Sequence, residues 1–465
     1  MAQTASFLTR FFGWTAGIFF KVERRGGEVP PGPLLVVANH PNSLMDPLVL
    51  FRVLGRPTRP LAKAPLFDQR VLGFILRGMG GLPVYRKQDL PDQMHKNKGT
   101  FDAAVVALHH GEAIQVYPEG LSHSEPSLAP LRTGAARIAL QAESERKWSL
   151  NLQILPVGLT YMRKTVFGGS VVASVGAPID VARWREAYER DEREAGLALT
   201  ARIRQGLEAV TLNVGSPEER DLIEVAERVY AREVGLAEWR EREALSDRFP
   251  RLRYFARGAA WLRNEDPERY RKLAARIRAY ERATSILGVG EAEVPPTYEL
   301  GTSVHYVARE GGILLLELPF AAVGILAWLP VYLVGRFILR RMTPSHEAIS
   351  TYKFSVHASV AVLTLAGWTL LAWWLGGWAW ALGTALLLVP LGLITLAWHR
   401  RWTRVEEDVR LFKRVVRRRS RRERLARLRE GLVEEFDGIG RALRRAEEAV
   451  PADPRHHEPG VGGTG

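Results

Sequence analysis

The sequence predicts an α/β core, a mostly parallel sheet flanked by helices, followed by a helical region and a C-terminal membrane-embedded helical module. Three observations predict it. Between residues 26 and 182, short Val/Ile/Leu-rich runs at 33–38, 113–116 and 154–160 alternate with stretches of helical spacing, as strands buried on both faces of a parallel sheet do. Residues 183–310 are dense in Arg, Glu and Ala, with apolar positions at helical intervals such as Leu222, Ile223, Val225, Ala226, Val229 and Tyr230,. Residues 311–398 then turn apolar over lengths that match a bilayer,.

Taken in order, residues 1–25 hold Phe7, Leu8, Phe11, Phe12, Trp14, Phe19 and Phe20. The segment is too short to span a membrane. It reads as an amphipathic helix in the interface, with Lys21, Arg24 and Arg25 at the headgroups, or as a helix docked on the protein itself. The apolar run Pro33-Leu34-Leu35-Val36-Val37-Ala38 leads straight into Asn39-His40-Pro41-Asn42-Ser43-Leu44-Met45-Asp46. A strand ending in histidine, with a carboxylate one short loop later, can position a general base. Neutral imidazole accepts a proton near pH 7, and a carboxylate fixes its tautomer. On one straight helix, six residues advance about 600° and part the two side chains, so the pair needs the turn that Pro41-Asn42-Ser43 supplies. Asp46-Pro47 also fits an N-cap followed by proline at the first helical position, which would leave His40 as a loop histidine.

Three further segments repeat the pattern of strand and polar or glycine-rich turn. Gly80-Gly81-Leu82-Pro83-Val84-Tyr85-Arg86 ends in arginine, suited to a bidentate grip on phosphate,. Ala113-Ile114-Gln115-Val116-Tyr117-Pro118-Glu119-Gly120 runs into a Pro-Glu-Gly turn, and residues 154–160 form another strand. Singly, Arg86 is also a solvated strand end, Glu119 a surface charge and Gly120 a turn former. Order and spacing give the set its weight.

Together the four segments resemble the four blocks of the glycerolipid acyltransferase family, which includes glycerol-3-phosphate and 1-acylglycerol-3-phosphate (lysophosphatidate) O-acyltransferases. The likeness covers roughly residues 20–180. It implies an α/β acyltransferase core over 26–182, with His40 as base and Asp46 as its partner. Arg86 would bind the acceptor phosphate, Glu119 and Gly120 would shape the acceptor site, and the strand through Pro156 would close the acyl groove. Two departures matter. Five residues separate His40 from Asp46 where the family usually has four, and Leu121-Ser122-His123-Ser124 follows Gly120 where the family has threonine and arginine. Both features, with Leu131-Arg132-Thr133-Gly134, are similar to the fungal glycerol-3-phosphate/dihydroxyacetone-phosphate acyltransferases and lean the acceptor towards glycerol-3-phosphate. Arg132 is the candidate to replace the missing arginine, with Arg137 and Lys63 behind it. His123 reads equally as an acceptor contact or a turn residue.

Composition bounds the rest. The 465 residues contain no cysteine, which excludes a disulfide framework, a thiol nucleophile and a cysteine metal site. A formal net charge of +14 calls for an anionic partner. The apolar segments make that partner membrane lipid rather than nucleic acid. In 183–310, Trp184, Trp239, Tyr254, Phe255 and Trp261 are either interfacial anchors or core aromatics. Residues 356–375 and 378–398 are two spanning candidates joined only by Gly376-Gly377, a tight transmembrane hairpin with Trp373, Trp374, Trp378 and Trp380 at its tip,. Residues 313–334 are long enough to span but hold Glu317, Pro319 and Pro330,. Basic residues flank the hairpin on both sides, so both flanks read as cytoplasmic. A further full crossing would then put the core outside, away from cytosolic acyl donors, so 313–334 is expected to be re-entrant or interfacial. The expected location is the cell membrane, multi-pass, with the core facing the cytoplasm. Residues 399–449 form a basic amphipathic helix with a headgroup-binding run at 413–422 and apolar positions Leu425, Leu428, Leu432, Phe436, Ile439 and Leu443, which suit an amphipathic helix or a short self-pairing coil. Residues 450–465, with His456 and His457, read as a disordered tail.

The expected chemistry is direct acyl transfer from acyl-CoA or acyl-carrier protein to a glycerol-phosphate acceptor, with no metal and no bound cofactor. Alternatives are transfer to another lysophospholipid, or a lipid-binding membrane scaffold without activity. A serine hydrolase lacks its Gly-x-Ser-x-Gly elbow. A metal phosphohydrolase would need His109 and His110, which sit at a predicted helix end.

Overall fold

A computed structural model describes residues 2–86, 89–234, 243–286, 300–416 and 419–449. The chain divides into two compact units: Met1–Asn213 with Ala244–Phe249 and Leu300–Glu406, and Val214–Glu243 with Pro250–Glu299 and Glu407–Gly465.

The first unit opens with helix α1 (Ala2–Phe19) and then the core elements β1 (Lys21–Gly26), β2 (Leu34–Ala38), α2 (Met45–Leu54), β3 (Thr58–Lys63), α3 (Ala64–Phe67), α4 (Arg70–Gly78) and β4 (Leu82–Val84). It continues through α5 (Asn97–His109), β5 (Ala113–Val116), α6 (Gly134–Glu145), β6 (Gln153–Met162), β7 (Ser170–Val175), β8 (Ile179–Asp180), α7 (Arg185–Arg190) and α8 (Glu192–Glu208). The eight strands form one sheet in the order β1-β7-β6-β2-β5-β3-β4, with β8 on β6. Only the β6–β7 and β6–β8 pairings are antiparallel, so the expected mostly parallel sheet is present.

β2 lies between β5 and β6, and all five of its residues are buried. Because side chains alternate across a strand, Leu35 and Val37 enter the cluster built with α5, α6 and α8, whereas Leu34, Val36 and Ala38 enter the one built with α1 and α2. This two-sided burial is why β2 is continuously apolar, and its end carries His40 to the edge of both layers.

Helix α1 forms as expected and is both docked and exposed. Ala16 and Phe19 pack into the core, and a Cβ on Gly13 would stand 2.9 Å from the Arg52 backbone of α2. Phe7, Phe11 and Trp14 face outward, Phe7 at 67% exposure. Lys21, Arg24 and Arg25 are not appended to this helix; they form the strand β1, paired in parallel with β7.

Three apolar helices complete this unit: α12 (Leu300–Leu339), α13 (Ile349–Gly376) and α14 (Trp378–Val416), the last as far as Glu406. Over 308–339, 349–376 and 378–406 all three are long and apolar enough to cross a membrane. α12 runs unbroken past Pro319 and Pro330, so the expected re-entrant break is absent. α13 packs along α12, with Trp368 Nε1 donating to Ala327 O at 2.9 Å. α14 turns away at Gly377 (φ 79°) and does not pack along α13. A cleft lined by Trp368, Leu371, Leu375 and Trp380 separates them, so the expected tight hairpin is a splayed one. The indole of Trp380 packs against Gly376 in the turn.

The second unit is a helical bundle of α9 (Pro217–Glu233), most of α10 (Leu245–Glu265), α11 (Pro267–Ile286) and α15 (Arg419–Ala449). Val225, Val229, Leu273, Ile277, Leu432 and Phe436 form its core, with Phe255 and Trp261 against it. Those two aromatics are core residues, and Tyr254 OH donates to Gly440 O. Trp184 packs on the first unit's core. Leu425, Leu432, Phe436, Ile439 and Leu443 are buried whereas Leu428 is exposed, so all but one of these apolar positions of α15 face its own bundle. Trp239, the side chains of 413–422 and the tail 450–465 lie outside the described residues.

Candidate active site

His40 stands just past β2. Asn39 anchors the exit, its side chain bonding both Leu159 N (2.7 Å) and Leu159 O (3.0 Å) on β6. The chain then turns through Pro41-Asn42-Ser43, with Ser43 at φ 44°. Asp46 lies in the first turn of α2, and Leu44 rather than Asp46 holds the cap position, without a side-chain cap bond. That settles the capping alternative: the carboxylate is turned back to the imidazole. His40 Nδ1 lies 2.8 Å from Asp46 Oδ2. Asp46 is fully buried and also accepts from Asn42 N at 2.8 Å and Tyr161 OH at 2.7 Å. Three donors satisfy a carboxylate that burial would otherwise penalise.

With Nδ1 on the carboxylate, the neutral imidazole carries its proton there and leaves the Nε2 lone pair free. The Tyr117 ring stacks on the imidazole at 4.0 Å between centroids, fixing its plane. Burial, and then the negative charge of Asp46, push the Tyr117 and Tyr161 hydroxyls well above the ordinary tyrosine range. Tyr161 therefore remains a donor to Asp46 throughout the neutral range.

Glu119 braces this turn from behind. It accepts from His40 N (3.2 Å) and Ala129 N (2.7 Å), and Oε2 lies 2.5 Å from His123 Nε2. Ser122 Oγ donates to His40 O at 2.8 Å and accepts from Ser43 N. Glu119 and His123 thus tie the third block to the His40 turn, and neither lines the cleft in front of it.

That cleft, about 1690 Å³, is lined by His40, Arg86, Gly120, Arg132, Lys63 and Arg137 and by the apolar Leu48, Phe51, Leu66, Leu72, Leu76 and Met79, of which all but Leu48 pack in one apolar cluster. Burial, followed by the positive charge of Arg132, holds the Arg86 guanidinium below its usual value, against an opposing effect of Asp89. Two cations facing one cavity favour an anion there. Gly120 has φ 73°, and a Cβ on it would lie 2.6 Å from Arg132 Nε. Glycine is needed for both the turn and the arginine above it. Pro156, expected to wall the acyl groove, sits inside the sheet opposite Val37; the apolar wall comes from α2 and α4 instead. His109 Nε2 lies 3.0 Å from Ala142 O, apart from the cleft, and among the described residues no cluster of three His, Asp or Glu could hold a metal.

The sequence reading missed Tyr161, Tyr117, Asn39 and Ser122. All are drawn in by strand pairing or loop contact across more than 70 residues, except Asn39, whose place at a strand end beside His40 was the one local signal.

Residues 21–160 match the family model described as Acyltransferase. The chain is 25% identical over 300 residues to an uncharacterized acyltransferase of Schizosaccharomyces pombe, covering 46% of this chain and 44% of that protein. It is 32% identical over 135 residues to glycerol-3-phosphate O-acyltransferase 2 of Saccharomyces cerevisiae (29% and 18% covered) and 27% identical over 262 residues to glycerol-3-phosphate O-acyltransferase 1 of that yeast (55% and 33%). The chain thus spans less than half the length of these relatives. Among solved structures, it is similar to the 1-acyl-sn-glycerophosphate acyltransferase of Thermotoga maritima, at 19% identity and a TM-score of 0.32 over 43% of this chain and 78% of that one. The segment that the Acyltransferase model matches is the one that carries the buried His40–Asp46 pair and Arg86.

Proposed function

We propose that this protein is a membrane-bound O-acyltransferase that moves a fatty acyl chain from acyl-CoA or acyl-carrier protein to glycerol-3-phosphate or 1-acylglycerol-3-phosphate, with glycerol-3-phosphate the favoured acceptor. The observation that carries this is the 2.8 Å His40–Asp46 contact at a cleft lined by Arg86 and Arg132 and by an apolar cluster. The names of the two yeast relatives support the choice of acceptor.

In this mechanism Arg86 and Arg132 hold the acceptor phosphate, and the chain lies against Leu48, Phe51 and Leu76. His40 Nε2 takes the proton of the acceptor hydroxyl as its oxygen attacks the thioester carbon. Asp46 steadies the imidazolium. The carbon–sulfur bond then breaks, and His40 returns the proton to the departing thiolate, so no acyl-enzyme forms and no metal or bound cofactor takes part. Fixing both reactants beside the base lowers the barrier by several kcal/mol, about 7 or more for ideal alignment.

The protein is placed in the cell membrane with the catalytic domain facing the cytoplasm, and the basic surface against anionic lipid. α12 is read as interfacial rather than crossing. Near its start, Glu310 pairs with Arg401 at 3.0 Å, next to Arg400, which bonds Ile18 O of α1. Past its far end, Ser350 bonds Lys164 O in the catalytic domain. Both ends thus lie beside one domain, whereas a crossing would part them. A topology reporter fused after Arg340 is expected on the cytoplasmic side; an external signal rules this arrangement out.

The deciding experiment is acyl transfer by the purified, detergent-solubilised protein, with glycerol-3-phosphate and 1-acylglycerol-3-phosphate offered separately alongside either donor. Transfer that disappears in His40→Ala supports the mechanism, and the preferred acceptor names the step. Transfer to neither acceptor, with either donor, points to another lysophospholipid or to a scaffold.

A further inference from the structure

The His40–Asp46 turn is held from outside its own domain segment. Leu44 N, two residues before Asp46, donates to Thr351 Oγ1 in the first turn of α13 at 3.2 Å. Pro41 O accepts from Lys164 Nζ at 3.1 Å, and the same ammonium donates to Ser124 Oγ at 2.6 Å. Ser124 Oγ in turn donates to Glu347 Oε1 at 3.0 Å and lies 3.1 Å from His346 Nδ1, both in the segment between α12 and α13. Ser350 Oγ bonds Lys164 O, and Lys353 Nζ bonds Thr165 O at 2.7 Å. Ala348, Thr351, Tyr352 and Ser355 also line the cleft.

Glu119 and Ser122 hold the turn from His40 to Ser43, but its entry into α2 lacks such a brace. Ser43 sits in the left-handed region, and Leu44 gives α2 no side-chain cap. A backbone N–H at the start of a helix needs an acceptor, and here a hydroxyl on a membrane helix supplies it.

We propose that the first turn of α13 is a positioning element of the active site, with Thr351 holding the His40–Asp46 turn in register through Leu44 N. It rests on the acyl-transfer reading only for its kinetic consequence. The physical reason is the tolerance of the chemistry. A base displaced by even part of an ångström loses rate, and Thr351 sets the point at which the turn enters α2. Seating α13 in the bilayer then brings the catalytic turn with it, so the enzyme is aligned where its lipid product must leave.

The test compares Thr351→Val, which keeps the shape and removes the hydroxyl, with Thr351→Ser, which restores it, in the full-length protein in liposomes. Two readouts are taken: kcat and KM for both substrates, and the rate at which diethyl pyrocarbonate modifies His40, followed by mass spectrometry of its peptide. In Thr351→Val, kcat is expected to fall on the order of tenfold with KM nearly unchanged. His40 modification is expected to speed up several-fold, that of His109 is not, and serine recovers both. Unchanged kcat and unchanged His40 labelling overturn the proposal. A raised KM at constant kcat also overturns it, because Thr351 would then be a wall for substrate. Altered His40 labelling in a protein whose wild type transfers nothing keeps the positioning role and discards the acyl-transfer reading. If Thr351→Val does not fold, Ser124→Ala, which cuts the second tie, must shift His40 labelling in the same direction or the proposal fails.

Discussion

Asp46 and Glu219 are both buried carboxylates in the first turn of a helix, one in each unit, and they are used in opposite ways. Glu219 is spent entirely on structure. Its Oε2 accepts from Gly215 N at 2.8 Å and from Arg263 at 2.6 Å, its Oε1 accepts from Tyr270 OH at 3.1 Å, and Ser216 Oγ accepts from Glu219 N at 3.1 Å. This resembles a capping box, with the carboxylate reaching Gly215 N one residue before the cap Ser216, and an ion pair closes it,. Among the described residues, no lysine or arginine pairs with Asp46. It takes two neutral donors and presents its remaining capacity to an imidazole at the edge of a cleft. A carboxylate already neutralised by a fixed cation stabilises the fold. One that shares its charge with an imidazole facing a cavity is free to respond to a proton arriving there.

The contrast breaks most directly at the His40–Asp46 pair. His40→Ala is expected to lower acyl transfer by at least about a thousandfold, and Asp46→Asn by on the order of a hundredfold or more, since the amide favours the wrong tautomer. Thermal unfolding of both variants should move little; a large drop in stability with partial activity would place Asp46 with Glu219. Charge removal at the cleft comes next. Arg86→Ala and Arg132→Ala should each raise KM for a phosphate-bearing acceptor by roughly tenfold or more, with less effect on kcat, as measured by initial rates against acceptor concentration.

Glu219→Ala is the mirror experiment. It strands a partly exposed Arg263 and removes the brace of α9, so chemical unfolding should report a loss of about 2 kcal/mol with kcat unchanged. A kinetic defect matching that of Asp46→Asn would erase the distinction. A smaller effect belongs to Tyr161→Phe, which removes one donor from Asp46; kcat should fall by about threefold to tenfold, worth roughly 1 kcal/mol. The smallest concerns pH. Burial, and then the charge of Glu219, push the Tyr270 hydroxyl up to about 12. A folded value above the unfolded one favours the native state while the phenol stays protonated. This stabilisation is complete below about pH 10 and is lost as pH rises towards 12. Denaturant titrations across that interval should show a modest loss that Tyr270→Phe abolishes.

Much of the site was legible because the chemistry falls at strand ends. His40 follows β2 and Arg86 follows β4, while Glu119 and Gly120 follow β5, and each block announces itself as an apolar run with polar residues after it. Gly120 needed only local reasoning, since a positive φ favours glycine wherever it occurs. Asp46 was ambiguous because Asp-Pro before an apolar run fits a cap equally well. The cap position fell two residues earlier than that reading assumed, at Leu44. Glu119 was read as part of the acceptor site but stands behind His40, because the Pro118-Glu119-Gly120 turn directs its carboxylate to backbone donors at residues 40 and 129.

By itself, then, the sequence determined where the strands lie, that His40 and Asp46 share one turn, and that the later helices are apolar enough for lipid. Those properties depend on residues close together in the chain. Only the tertiary structure decided that Tyr161 secures Asp46 across 115 positions, that α2 and α4 rather than the Pro156 strand line the apolar cleft, and that Thr351 reaches Leu44 across 307. Such contacts follow from the order of strands in a sheet and from which helix end meets which loop. Neither leaves a periodicity in the sequence, because a single hydrogen bond between distant residues requires only one compatible side chain at each end.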